Sequence, residues 1–238
     1  MPRNENQPAA FDYSRNLRDG RADVQGPCQL FVDSLFSGCT VLDVGAGLGQ
    51  SRARIRHNRV TTYDIDERLR PFVDVAGGPV PPGPFDLVTA FDVIEHVEDD
   101  LRFAQKLAAR ATRAVVVVTP NWRVSRCQST HHVREYTGAE LRDLALQLWP
   151  QDALRLFGHY KDGDGSWFDL IPDEAWDAHA GSKHVLAVLL REEDRQRIDR
   201  FFAGRWGTLI PPGERWTPWL SDGDDYPNPL VVAFEGQP

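Results

Sequence analysis

Val41-Leu42-Asp43-Val44-Gly45-Ala46-Gly47-Leu48-Gly49 reads as a buried strand that runs into a glycine turn and then opens a helix, and it decides the fold. Glycines at such a turn let the backbone approach a ligand closely, because a Cβ would occupy the ligand's space. The spacing is GxGxG, whereas the dinucleotide fingerprint is GxGxxG. Asp43 inside the strand adds to the distinction, since a pyrophosphate would be repelled by that acid and a cationic ligand would not. The link from Gly49 to Val60 is short and leaves a first helix of only about two turns at about 3.6 residues each.

Working outward, further short apolar runs are expected as strands: Val60-Tyr63, Pro71-Val73, Phe85-Val88, Ala114-Val118, Leu154-Phe157 and His184-Leu190. Runs this apolar and β-branched suit strands covered on both faces of a parallel sheet. Between them, Leu101, Ala104, Leu107, Ala108 and Ala111 recur at helical spacing, as do Leu30, Phe31, Val32, Leu35 and Phe36 ahead of the first strand. Thr137-Gly138-Ala139-Glu140 is a capping box opening another helix, with Leu141, Leu144, Ala145 and Leu148 as its apolar stripe. Alternating strand and helix is an α/β signature, so the expectation is a Rossmann-like sheet of seven strands, mostly parallel, with helices on both faces. The stretch from Lys161 to Asp177, with Trp167 and Trp176, is too irregular to assign.

The chain divides accordingly into an N-terminal arm over 1–25, anchored by Phe11 and Tyr13 and able to cover the active site, a core domain over 26–190, and a remainder over 191–238. That remainder is a charged helix, Glu192 to Phe202, followed by a tail carrying Trp206, Trp216, Pro218 and Trp219. Such a tail cannot build its own core and is expected to wrap back over the domain or to cover a partner subunit as a homodimer.

Composition narrows the partners. No stretch approaches the roughly 18 apolar residues of a spanning helix, and the polar opening Met1-Pro2-Arg3-Asn4-Glu5-Asn6 is not a signal peptide, so a cytoplasmic protein with no membrane role is expected. A formal charge of −8 would repel phosphate backbones and disfavours nucleic acid. The one basic cluster, Arg52, Arg54, Arg56 and Arg59, reads as a solvated helix face. Cys28, Cys39 and Cys127 are far apart and form no CxxC pair, so reduced thiols are expected rather than a disulfide framework or a thiolate zinc site.

Asp64 ends the second strand, where a carboxylate can accept both hydroxyls of a ribose, with Asp66 as the alternative. With VLDVGAGLG, YDID and FDLVTAFDVIEHVEDD together, the sequence resembles the class I methyltransferase family over about Val41 to Leu148. That resemblance implies S-adenosylmethionine as cofactor, in a site lined by Asp43, Gly45, Ala46, Gly47, Asp64 and Ile65. It also implies that Asp74, eleven residues before the Phe of FDLV, meets the adenine amino group, and that Phe91 and Asp92 lie near the methionine moiety.

Asp92-x-x-Glu95-His96, with His131-His132 after the fifth strand, is the constellation closest to chemistry. On a helix these positions share a face, and their oxygen and imidazole ligands suit magnesium, manganese or zinc. The pattern is similar to the ExxEH segment of ubiquinone-pathway O-methyltransferases and small-RNA 2′-O-methyltransferases. A divalent cation on Asp92, Glu95, His96 and His132 is one expectation; many family members carry the Glu-His pair with no metal, as structure near the acceptor pocket. The catalytic candidates are His131, His132 and Asp92, a histidine serving as general base. The acceptor expected is a small-molecule hydroxyl on a sugar or secondary metabolite, with RNA 2′-O-methylation as the alternative. A nicotinamide-dependent oxidoreductase, or a Rossmann-like module without catalysis, are the readings outside the class.

Overall fold

The computed structural model describes residues 25–126, 129–149, 153–162, 165–171, 182 and 184–203. The arm residues Phe11 and Tyr13, Cys127, Trp176 and the tail residues Trp206, Trp216, Pro218 and Trp219 lie outside the described residues.

Among the described residues the architecture is an eight-stranded sheet in the order β3-β2-β1-β4-β5-β8-β6-β7. Five strands are mutually parallel: β1 (Thr40–Val44), β2 (Arg59–Asp64), β3 (Val75–Ala76), β4 (Phe85–Phe91) and β5 (Ala111–Pro120). The other three, β6 (Leu154–Asp162), β7 (Gly165–Ile171) and β8 (His184–Leu190), pair antiparallel. The expected seven strands are therefore corrected to eight. The added one is β7, which forms a hairpin with β6 where the sequence looked irregular. Pro71-Val73 is not a strand: it turns, with the Val73 amide bonded back to the Leu69 carbonyl, and pairing resumes only at Val75–Ala76.

Both faces of the sheet are covered, as the apolar strands require. Side chains alternate across a strand. Val41, Leu87, Phe91, Val116 and Val118 face one way, into a core with α1 (Gly26–Leu35) that includes Phe31, Leu35, Phe157 and Phe168. Leu42, Val88, Ala90, Val115 and Val117 face the other, against Leu107 of α3 (Asp100–Ala108) and Leu141 and Leu144 of α5 (Gly138–Leu146). Two one-turn helices, α2 (Ser51–Arg54) and α4 (Trp122–Ser125), sit in loops that follow strands. α2 has half the expected length, because the chain must reach β2 at Arg59.

Local chemistry fixes the element ends. A proline in its first turn starts α1. The capping box is present as read: Thr137 Oγ1 accepts the Glu140 amide and Glu140 accepts the Thr137 amide at 2.9 Å. Asp86, the acid of FDLV, accepts both the amide and the hydroxyl of Thr40 at 2.8 Å each, which pins β4 to β1. The charged helix α6 (Glu192–Ala203) belongs to this packing: Ile198 is in the α1-side core, and Asp194 and Asp199 pair with Arg113 and Arg155. No helix among the described residues is long and apolar enough to cross a membrane.

Candidate active site

From β1 the strand order runs outward to β2 and β3 on one side and to β4 and β5 on the other. The carboxyl ends of β1 and β4 therefore flank a topological switch point, the place where open α/β sheets bind ligands. Asp43, Asp64 and Phe91 stand at the carboxyl ends of β1, β2 and β4, the glycine turn, Ile65 and the Asp92–His96 segment follow directly on those strands, and the His-His pair lies beyond β5.

Gly45, Gly47 and Gly49 all adopt positive φ, at 75°, 55° and 69°. Two of them are glycine for a reason that the sequence did not reveal. A Cβ on Gly45 would stand 2.4 Å from Val93 Cγ2, and one on Gly49 would stand 2.3 Å from the Phe72 carbonyl oxygen. Close approach of other protein loops, rather than of a ligand, thus excludes side chains there. The turn is tied to β2: the Gly45 and Ala46 amides both donate to the Tyr63 carbonyl, at 2.8 and 3.0 Å.

Asp64 is buried, and its carboxylate spans the two loops, Oδ2 accepting the Gly47 amide at 2.9 Å and Oδ1 the Asp66 amide at 3.0 Å. Burial still pushes its pKa above the ordinary range. Asp66 is not equivalent: it caps the following turn and is bound by the Arg68 guanidinium. Ile65, 76% exposed, sets an apolar side chain on the surface beside the acid. Asp43 is 2% exposed and accepts the Thr89 hydroxyl at 2.8 Å, and burial pushes its pKa up to about 6. Two sunken carboxylates around a positive-φ turn make a site suited to a cation that also carries hydroxyl donors.

Asp74 is committed within the protein. Its Oδ2 accepts the Thr62 amide and hydroxyl at 2.7 and 2.8 Å, and its Oδ1 pairs with Arg52 at 2.8 Å. Burial acts upward on its pKa, but these hydrogen bonds and the Arg52 charge prevail and hold it low. The Phe91 ring is part of the core, and its carbonyl accepts the Gln25 side-chain amide at 3.0 Å.

Asp92 and the Glu-His pair do not share a helix face, which corrects the expected geometry. Asp92 takes a left-handed conformation, φ 52°, and a single 3₁₀ turn follows at Ile94–His96. Ligand atoms of Glu95, His96 and His132 nevertheless all lie within 4.8 Å of one another. Asp92 is not a member of that group; its Oδ1 lies 3.7 Å from His184 Nε2.

Each member of the group is held from behind. Glu95 is fully buried, with Oε2 accepting the Thr119 hydroxyl at 3.2 Å and no hydrogen-bond partner for Oε1 among the described residues. Burial, and then the Asp92 charge, push its pKa well above the carboxylate range. The His96 Nδ1 faces the His131 carbonyl at 2.8 Å. A carbonyl can only accept, so the proton is on Nδ1 and Nε2 carries the lone pair. Burial lowers the His96 pKa and favours this neutral form. The His132 Nδ1 meets the carboxylate of Glu135, which also accepts the Ser125 hydroxyl. Sequence reading missed Glu135, since nothing marks it except its place three residues after a histidine. His131 contributes its backbone carbonyl here, and its amide donates to the Ser129 hydroxyl.

Comparison with known proteins bears on the family and the fold. A family described as a methyltransferase domain matches residues 15–161, well over half of the chain. No curated protein matches. Among solved structures, the small RNA methyltransferase HEN1 aligns with a TM-score of 0.55 at 17% identity over 79% of this chain and 27% of that one. The chain thus spans about a quarter of that relative. A SAM-dependent methyltransferase from Thermotoga maritima aligns with a TM-score of 0.56 at 12% identity, covering 76% of this chain and 98% of that one. The plantazolicin methyltransferase BamL, solved with S-adenosylhomocysteine, gives 0.52 at 10% identity over 75% and 88%. On the family match, the chain belongs to the class I S-adenosylmethionine-dependent methyltransferases.

Proposed function

We propose that this enzyme methylates a hydroxyl oxygen of a small molecule, such as a sugar or secondary metabolite, with a divalent cation on Glu95, His96 and His132 binding the acceptor. The observation that carries the reading is the convergence of those three side chains, each fixed by a partner behind it: Thr119, the His131 carbonyl and Glu135. Metal-ligating histidines ordinarily donate their other N–H to a carbonyl or carboxylate, and both do so here. Glu95 carries a buried oxygen with no hydrogen-bond partner among the described residues, and its raised pKa is the kind of strain a bound cation relieves.

Bound S-adenosylmethionine supplies a methyl group on a positively charged sulfur, open to in-line attack. A bound cation lowers the pKa of a coordinated hydroxyl and orients it. The chain's own residues do the positioning. Asp64 accepts the ribose hydroxyls, Ile65 lies against the adenine, and Asp43 places negative charge beneath the turn of Gly45, Ala46 and Gly47. Phe91 and Asp92 border the methionine end. Asp74 braces the adenine side through Thr62 and Arg52, sharing the one lone pair left on Oδ1 with the amino group. His132 is a cation ligand while the metal is present, and its Nε2 lone pair is the base available to an acceptor proton without it. The carboxylates favour a compact acceptor over a phosphate polymer, as does the net charge of −8. The likeness to HEN1 favours a second reading, methylation of an RNA 2′-hydroxyl.

Titration with S-adenosylhomocysteine tests the cofactor site, where micromolar binding of about −8 kcal/mol is expected. Methyl transfer to a panel of hydroxylated small molecules and to short RNAs, with and without magnesium or manganese, tests the rest. Transfer that persists after chelation and in Glu95→Gln and His132→Ala would refute the metal assignment.

A further inference from the structure

We propose that Cys28, His159 and His184 form a second metal site, for zinc, which clamps helix α1 to the antiparallel half of the sheet behind Asp92. The three come from elements far apart in sequence: Cys28 from α1, His159 from β6 and His184 from β8. Their ligand atoms lie within 4.8 Å of one another and all three residues are buried. Cys28 Sγ is 3.8 Å from His159 Nδ1, and His159 Nδ1 is 3.0 Å from His184 Nδ1. Tetrahedral zinc, with bonds of about 2.0–2.1 Å to nitrogen and about 2.3 Å to sulfur, spaces such ligands about 3.4–3.6 Å apart. The observed separations bracket those values, so only small side-chain movements are needed to seat the ion.

The ligand chemistry narrows the metal to a thiophilic ion, of which zinc needs no redox chemistry. One thiolate with two imidazoles is a soft set that suits zinc and discriminates against magnesium, calcium and manganese. The surroundings are those of a metal site as well. The His159 ring stacks on Phe168 at 4.8 Å, and Phe168 stacks on Phe31 at 4.3 Å, giving the cluster an apolar wall. His184 turns its other nitrogen toward Asp92 Oδ1 at 3.7 Å, and that oxygen is buried with no hydrogen-bond partner among the described residues. A carboxylate behind a ligating histidine is the usual outer partner of zinc. Charge also balances: Zn²⁺ with one thiolate leaves a single positive charge, opposite the single negative charge of Asp92. On binding, Cys28 gives up its thiol proton to solvent while both histidines bind neutral, so one proton leaves per ion. No oxidation is involved.

Cobalt titration of the metal-free full-length protein, followed by absorption spectroscopy, tests the proposal, because a cobalt–thiolate bond gives a charge-transfer band that the sulfur-free Glu95, His96, His132 group cannot. One equivalent of cobalt should produce the band, and zinc should remove it. The double variant Cys39→Ser, Cys127→Ser, which keeps Cys28 as its only cysteine, should retain it, as should His132→Ala. Cys28→Ser should lose the band, and His184→Ala should weaken metal binding by at least about tenfold. If no band appears in the wild type or in the double variant, the cluster is a hydrogen-bonded thiol and imidazole pair and the proposal is overturned. A band that survives in Cys28→Ser overturns it equally. Should Cys28→Ser fail to fold, the double variant alone decides.

Discussion

Asp43→Asn should make the protein more stable at neutral pH while weakening its hold on the cofactor. Asp43 is almost fully buried, and its pKa stands at about 6 against an ordinary 3.8. Because the folded value is the higher one, the native state binds the proton more tightly than the unfolded state does. Stability is therefore greatest below the unfolded pKa and falls as pH rises through the folded one. Two pKa units at about 1.36 kcal/mol each put the loss at about 3 kcal/mol by pH 7 as an upper figure. Asparagine carries no charge but keeps an oxygen to accept the Thr89 hydroxyl, so most of that loss should disappear. Urea unfolding of both proteins from pH 4.5 to 7.5 reads this directly. Wild type should lose stability relative to the variant as pH rises from the acid end to about 6, above which the gap levels off. At about 2–4 °C per kcal/mol, the difference is also visible in thermal melts. The same substitution should reduce affinity for cationic S-adenosylmethionine more than for neutral-sulfur S-adenosylhomocysteine. A stability gap between the two proteins that stays constant with pH would refute the assignment of the buried charge to Asp43.

Other substitutions have different signatures. Gly45→Ala must hold φ 75° and drive a methyl group into Val93, so a loss of at least about 1–2 kcal/mol is expected from the backbone alone, measured by urea unfolding. Adding Val93→Ala should recover part of it, and no recovery would show that the contact does not matter. Thr137→Ala should cost about 1 kcal/mol by removing the cap of α5, with cofactor affinity unchanged by calorimetry. Asp64→Ala should lower S-adenosylhomocysteine affinity by at least about tenfold, or about 1.4 kcal/mol, in a calorimetric titration; unchanged affinity would remove the ribose assignment.

What could be read from the sequence was what local chemistry determines. The β1 strand and its glycine turn announce themselves because one short segment contains both the apolar run and the backbone breakers. The capping box at Thr137 is likewise a contact between residues three apart. Pro71-Val73 misled because an apolar run has two uses. Here it forms a turn whose carbonyl, on Phe72, accepts Arg52 and crowds Gly49. Strand β7 was hidden since its Gly-Ser-Trp-Phe-Asp segment follows charged residues and gains its identity only from pairing with β6. Asp74 is marked in the sequence only by its place eleven residues before the Phe of FDLV, and only the structure reveals that it accepts from Thr62 and pairs with Arg52. Cys28 and His159 are 131 residues apart, a separation at which no spacing rule operates.

The position of β8 has a consequence for how the chain is made. Although it is the last strand in sequence among the described residues, it lies between β5 and β6, pairing with β5 from Ala114 to Pro120 and with β6 from Leu154 to His159. During synthesis from the N-terminus, the parallel strands and the β6-β7 hairpin emerge first, with nothing yet to join them. Until residue 190 has left the ribosome, both carry open edges, the exposure that invites pairing with other chains. Closure then depends on contacts between distant residues, which are slow to form. A nascent or truncated chain ending before His184 should aggregate, and one ending just beyond Leu190 should be able to complete the sheet.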